Sequence, residues 1–233
     1  MSAESTRIAY LDALGIDVFA LRGTALPVGE SILRDERSQR SPSGDEAPGW
    51  PELRRAVAAC TRCRLHEGRT QTVFGVGNPA ADWMIVGEAP GSEEDRRGEP
   101  FVGRAGKLLD EMLRAVGLSR DSVFIANILK CRPPNNRDPA ASEAEACRNY
   151  LERQIELVNP RIILAVGRVA AQQLLRSEET VGRLRGRVHR LANPDVPVVV
   201  TYHPAYLLRT PAQKREAWKD LCLARRIIGA HAA

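Results

Sequence analysis

The side chains best suited to chemistry gather in a few short stretches. Gly87-Glu88-Ala89-Pro90-Gly91-Ser92-Glu93-Glu94-Asp95 runs on to Gly98-Glu99-Pro100-Phe101-Val102-Gly103-Arg104-Ala105-Gly106. Glycines let backbone approach a ligand closely, the carboxylates can handle protons or water, and Phe101 offers a flat face. Arg104 and Lys107 sit where an anion-binding helix would begin. Asn127 is a lone amide between Ile125-Ala126 and Ile128. A buried amide needs partners, and one with both a donor and an acceptor suits the edge of a base. His203, before Pro204 and near Tyr202 and Tyr206, supplies an imidazole that can donate or accept a proton. Cys60-Thr61-Arg62-Cys63, Cys131 and Cys147 form a possible ligand set. Zinc or an iron–sulfur cluster would use the same four sulfurs. Cys222, between Leu221 and Leu223, reads as a packed core thiol.

Strands that alternate with helices would bring these stretches together. The apolar runs predict strands over 83–86, 123–129, 161–166 and 196–202, with helices over 106–116, 142–158, 168–175 and 212–228. Strands spaced by helices imply a parallel sheet covered on both faces. Gly87-Glu88, Asn127, Gly167-Arg168 and His203-Pro204 then fall at strand carboxyl ends, along the edge where open α/β sheets bind ligands. Further upstream, Ile8, Leu11, Leu14, Val18 and Leu21 predict an amphipathic helix. Residues 34–50, rich in Ser, Pro and charge, read as a flexible linker. The expected organisation is a helical appendage over 1–33, the linker over 34–50 and an α/β/α domain over 51–233. The tethered helix is expected to dock on a partner protein.

The 233 residues carry a formal charge of +5, and the pI near 9.2 points toward polyanions. Arginines number 30 against four lysines. This favours phosphate recognition, although a GC-rich genome produces the same bias. No apolar run approaches the roughly 20 residues that span a bilayer, and the N-terminus lacks a signal-peptide core. The expectation is a cytoplasmic protein with no membrane partner, whose cysteines hold a metal or cluster rather than disulfides.

Taken in order, Cys60-x-x-Cys63, Gly87-Glu88-Ala89-Pro90-Gly91, Gly98 to Gly106, Asn127 with Lys130-Cys131-Arg132-Pro133-Pro134, Cys147 and His203-Pro204 closely resemble the family 4 uracil-DNA glycosylases, over about residues 60–225. The resemblance implies a four-stranded parallel sheet between helices, a [4Fe-4S] cluster on Cys60, Cys63, Cys131 and Cys147, and hydrolytic release of uracil from DNA. It implies Glu88 and His203 as catalytic residues, with Ala89 and Pro90 in the pocket floor. Phe101 would stack under uracil and Asn127 would read its edge. Arg104, Lys107 and Arg209 are the candidate phosphate contacts of a monomer acting on uracil-containing DNA. Glu94, Asp95 and Asn136 compete with Glu88 for holding the attacking water. A related group that becomes trapped covalently on its substrate carries a His in the loop after the second strand; residues 130–147 contain none. The rival expectation is a non-catalytic, polymerase-associated module of the same fold.

Overall fold

The apolar runs near Trp83, Phe124, Ile162 and Val196 pair side by side in the computed structural model, which describes residues 49–230. In chain order the elements are α1 (Trp50–Ala58), β1 (Val76–Gly77), β2 (Trp83–Gly87), α2 (Ser92–Arg97), α3 (Arg104–Ala115) and β3 (Phe124–Asn127). There follow α4 (Ala141–Val158), β4 (Ile162–Val166), α5 (Arg168–Leu175), α6 (Val181–Leu184), β5 (Val188–Ala192), β6 (Asp195–Thr201), α7 (Pro204–Arg209) and α8 (Lys214–Ala230).

The sheet has six strands rather than four, in the order β1-β3-β2-β4-β6-β5. Its inner four, β3-β2-β4-β6, are parallel. The two additional strands are antiparallel and lie at the edges. β1 escaped sequence detection because it is only two residues long, and β5 alternates exposed with half-buried positions instead of forming an apolar run.

Residues 83–87 are all buried, yet they serve two cores. Met84 and Val86 face α1, α4 and α5, while Trp83 and Ile85 face α3, α7 and α8. Successive side chains on a strand point to opposite faces, so a continuous apolar run fills both layers of an α/β/α sandwich. The chain passes from β2 to β3 on one side and then crosses to β4 on the other. The switch in strand order therefore lies between β2 and β4, at the carboxyl edge.

Trp50, placed in the linker by composition, belongs to the folded domain. It opens α1 with Pro51 in the first turn, and its ring packs on Phe74 at 6.0 Å and Phe124 at 5.2 Å between centroids. The appendage over 1–33, its partner and linker residues 34–48 lie outside the described residues. Cys222 is only partly buried. Among the described residues no helix is long and apolar enough to cross a membrane.

Because Trp50 packs half-buried on Phe74 and Phe124, Trp50→Ala should lower the unfolding free energy by about 2–3 kcal/mol, somewhat less than a fully buried Trp would cost. Denaturant titration followed by circular dichroism measures this. An unchanged midpoint would return Trp50 to the linker.

Candidate active site

The switch in strand order opens into a cavity of 820 Å³. Glu88, Ala89, Glu94, Phe101, Asn127, Gly167, His203 and Arg209 all line it, gathered from the ends of four strands and the segments that follow. Pro90 is buried beneath the turn and does not line the cavity. Arg104 and Lys107 are exposed at the start of α3, outside the lining, whereas Arg209 is exposed and lines it.

Gly87 and Asn127 are register partners on β2 and β3, which places the Asn127 side chain above Gly87. A Cβ at position 87 would stand 2.5 Å from Asn127 Oδ1 and 2.5 Å from the Phe101 ring, so only glycine fits. The loop glycine thus makes room for two side chains of the site itself. Asn127 is 2 % exposed, and its Oδ1 is buried without a hydrogen-bond partner among the described residues. An unpaired buried acceptor costs about 1–3 kcal/mol, which marks the atom as one awaiting a donor. Its backbone carbonyl is held by the buried Lys130 ammonium at 2.8 Å, which also donates to Gln154 at 2.6 Å.

Phe101 is buried, with a left-handed φ of 55°. Three contacts hold this unfavourable turn. Arg120 donates to the carbonyls of Pro100 and Phe101. Glu94 accepts from the backbone N–H groups of Val102 and Gly103, both at 3.0 Å. Gly106 packs so tightly on the Phe101 carbonyl that any Cβ there would collide with it. The second Glu94 oxygen accepts from Gly91 N–H at 3.1 Å. Asp95 is spent similarly, accepting from Thr70 N–H. Glu94 and Asp95 are therefore struts of the loop, and no side-chain hydrogen bond occupies the Glu88 carboxylate among the described residues. Burial raises the Glu88 pKa, helped by the nearby Asp138 carboxylate and opposed by Arg168. Asn136 also lines the cavity and accepts from Arg132 at 2.8 Å.

His203 faces Phe101, with ring centroids 5.7 Å apart. The imidazole is the N-cap of α7, its Nδ1 accepting the Ala205 N–H at 3.1 Å. That bond puts the proton of the neutral ring on Nε2, making Nε2 a donor. Gly167, at φ 95°, allows the approach, since a Cβ there would lie 2.9 Å from His203 Cβ. His203 keeps some surface open to the cavity. Loss of water around the ring nevertheless dominates, and with Arg209 nearby it lowers the pKa to about 4, against a small opposing pull from Glu94.

Cys60, Cys63, Cys131 and Cys147 line a second, largely apolar cavity. The Cys131 sulfur accepts from Arg69 at 3.1 Å, and Cys147 accepts the Lys130 N–H at 3.4 Å. Burial pushes the Cys147 thiol up to about 11 and raises Cys131 as well. Among the described residues no group of three or more His, Cys, Asp and Glu stands ready to hold a metal ion.

Residues 74–224 match the family description "Uracil DNA glycosylase superfamily". The type-4 uracil-DNA glycosylase of Archaeoglobus fulgidus is 46% identical over 175 residues, covering 72% of this chain and 88% of that protein. The chain belongs to the type-4 uracil-DNA glycosylase family. The type-4 enzyme of Pyrobaculum aerophilum is 45% identical, with 74% of this chain and 91% of that protein covered. That of Thermotoga maritima is 46% identical over 66% of this chain and 80% of its own length. Family membership leaves Arg120, Lys130 and the strut role of Glu94 to be read from the structure. Lys130 carried one sequence signal, being a rare lysine beside Cys131, while nothing linked Arg120 to a turn 19 residues away.

His203 generates a pH prediction. An unfolded histidine takes up its proton near pH 6.5, whereas the folded ring stays neutral down to about pH 4. The unfolded state thus binds more protons between these values, and the stability due to His203, complete above about 6.5, is lost as pH falls toward 4. Nitrogen-15 NMR of the imidazole should show unprotonated Nδ1 at pH 5.5. A midpoint near 6.5 would contradict the geometry.

Proposed function

We infer that this protein hydrolyses the N-glycosidic bond of deoxyuridine in DNA, releasing uracil and leaving an abasic site. Membership in the type-4 family supports the reaction, and the partnerless Asn127 Oδ1 carries it to particular atoms. That acceptor calls for an N–H, which uracil offers at N3 and cytosine does not.

A base stacked in a duplex is out of reach, so the nucleotide must swing out into the cavity, at a cost of a few kcal/mol. Phe101 supplies the apolar face, with Ala89 beside it, and Asn127 reads the edge. As the glycosidic bond lengthens, negative charge builds on a uracil oxygen and positive charge on the sugar. The His203 Nε2–H is our donor for the former. A neutral donor is suited to this role because its hydrogen bond strengthens as charge develops and no proton need leave the enzyme. Glu88 is our candidate to position the water or offset the sugar's charge, its raised pKa making it a better base. Arg209, and on the outer surface Arg104 and Lys107, are assigned to DNA phosphates.

The four cysteines suit a [4Fe-4S] cluster. Thiols from two distant segments line one apolar cavity, and the N–H donors of Arg69 and Lys130 are what sulfur bearing negative charge requires. Bound there, the cluster would act as a structural cross-link, since hydrolysis moves no electrons. Ligation would displace the protons that burial holds on Cys131 and Cys147.

A uracil-containing oligonucleotide, treated with alkali after incubation, tests the reaction. Cleavage should depend on uracil, and binding without cleavage would favour the non-catalytic module. Asn127→Ala and His203→Ala should each lose about 100-fold or more in turnover with unchanged circular dichroism, and wild-type rates in both would reject these roles. Protein purified without oxygen should contain iron and acid-labile sulfide in equal amounts, and Cys147→Ala should lose both. Zinc in place of iron would reject the cluster.

A further inference from the structure

Of the four lysines in the chain, Lys107, Lys214 and Lys219 are exposed, whereas Lys130 is buried. Taking an ammonium out of water is costly unless an opposite charge offsets the loss. The acceptors that Lys130 meets are neutral: the Asn127 carbonyl at 2.8 Å and Gln154 Oε1 at 2.6 Å. A methionine of similar length would fill the same space with no charge to bury, and exchanges of that kind commonly leave a protein as stable or more so. Stability therefore gives no reason for a lysine here, but the geometry it imposes on Asn127 does.

The Ile128 N–H donates to the Gly87 carbonyl at 2.9 Å. In a trans peptide the carbonyl points opposite to the N–H, so the Asn127 carbonyl faces away from β2. On that side β1 pairs with Phe124 and Ile125 and ends there. Extending its antiparallel register would set Phe74 opposite Asn127, and side chains bridge the two positions instead. Lys130 Nζ joins the Asn127 carbonyl to Gln154 Oε1, and Gln154 Nε2 donates to the Phe74 carbonyl at 2.9 Å. The Lys130 carbonyl accepts from Val73 N–H at 2.8 Å, so backbone and side chain are both anchored on residues 73–74. The peptide plane after Asn127 is thus pinned at its N–H by Gly87 and at its C=O by Lys130. This matters because Asn127 Oδ1 has no hydrogen bond of its own among the described residues; its aim depends on the backbone that carries it. We propose that Lys130, braced by Gln154, is a positioning residue for uracil specificity, fixing the Asn127 backbone so that Oδ1 meets the N3–H of the base. Lys130 does not line the uracil cavity, and it acts through Asn127. The proposal rests on the assignment of Asn127 to the uracil edge and adds how that atom is held.

Lys130→Met removes the ammonium and keeps the stem. Single-stranded oligonucleotides carrying deoxyuridine or N3-methyldeoxyuridine are the substrates. Wild-type protein should show a kcat/KM at least about tenfold higher for uracil. In Lys130→Met that ratio should fall toward one, through loss on uracil, while circular dichroism and iron and sulfide content stay unchanged. A wild-type ratio that persists in the folded variant would overturn the role of Lys130. Wild-type protein that excises both bases alike would overturn the reading of Asn127 and this proposal together. The wild-type protein also gives a readout of its own. With nitrogen-15 at lysine Nζ, the buried Lys130 ammonium should exchange slowly with water, unlike the three exposed ones, and saturating uracil should shift its signal. A signal that uracil leaves unmoved would overturn the coupling, whether or not Lys130→Met folds.

Discussion

The close approach of Asn127 and Phe101 over the backbone of Gly87 is the constraint on which the rest of the site depends. Parallel pairing of β2 with β3 sets Gly87 opposite Asn127, and the absent Cβ lets the amide and the ring share the space above it. Gly167 plays the same part for His203 one strand further along. Two glycines at two strand ends thereby let an aromatic face, an amide and an imidazole meet around one opening. Because each is anchored in the sheet, at a helix start or in a turn braced by Glu94 and Arg120, the geometry stands before any ligand arrives. A preorganised site of this kind spends no reorganisation energy when charge develops.

The polar groups divide between those that hold the site and those left open. Glu94 gives both oxygens to backbone N–H groups, and Arg120 gives two N–H groups to carbonyls. Together they stabilise the left-handed turn at Phe101, a strained conformation that persists because its surroundings over-determine it. Among the described residues Asn127 Oδ1 is left without a partner and Glu88 without a hydrogen bond from another side chain, while His203 commits Nδ1 to its helix and leaves Nε2 as donor. Lys130 joins the two halves of the domain's chemistry. Its backbone N–H meets Cys147 and its side chain meets the Asn127 carbonyl, so the four-cysteine cavity and the carboxyl end of β3 share one buried residue.

Much of this was legible in the sequence. Short apolar runs at 83–86 and 162–166 read as strands buried on both faces, and the placement of Gly87, Asn127 and His203 at strand ends follows from alternation with helices. Other features depended on tertiary contacts. The short helix α2 hid in a stretch of charged residues; it is held by Glu94 at its start and by Gly98 in a left-handed C-cap. The loop's carboxylates looked interchangeable until their partners distinguished struts from the open Glu88. Trp50 was missed because a Pro-rich, charged neighbourhood resembles a loop.

The buried Asn127 acceptor is the atom we propose takes the N3–H of uracil. Its most direct test compares free uracil with N3-methyluracil as ligands of the wild-type protein, with binding followed by NMR of the Asn127 side-chain amide. Uracil should bind and shift this signal, and N3-methyluracil should bind at least about tenfold more weakly, as expected when a buried acceptor is left unpaired. Equal affinities for the two would contradict it.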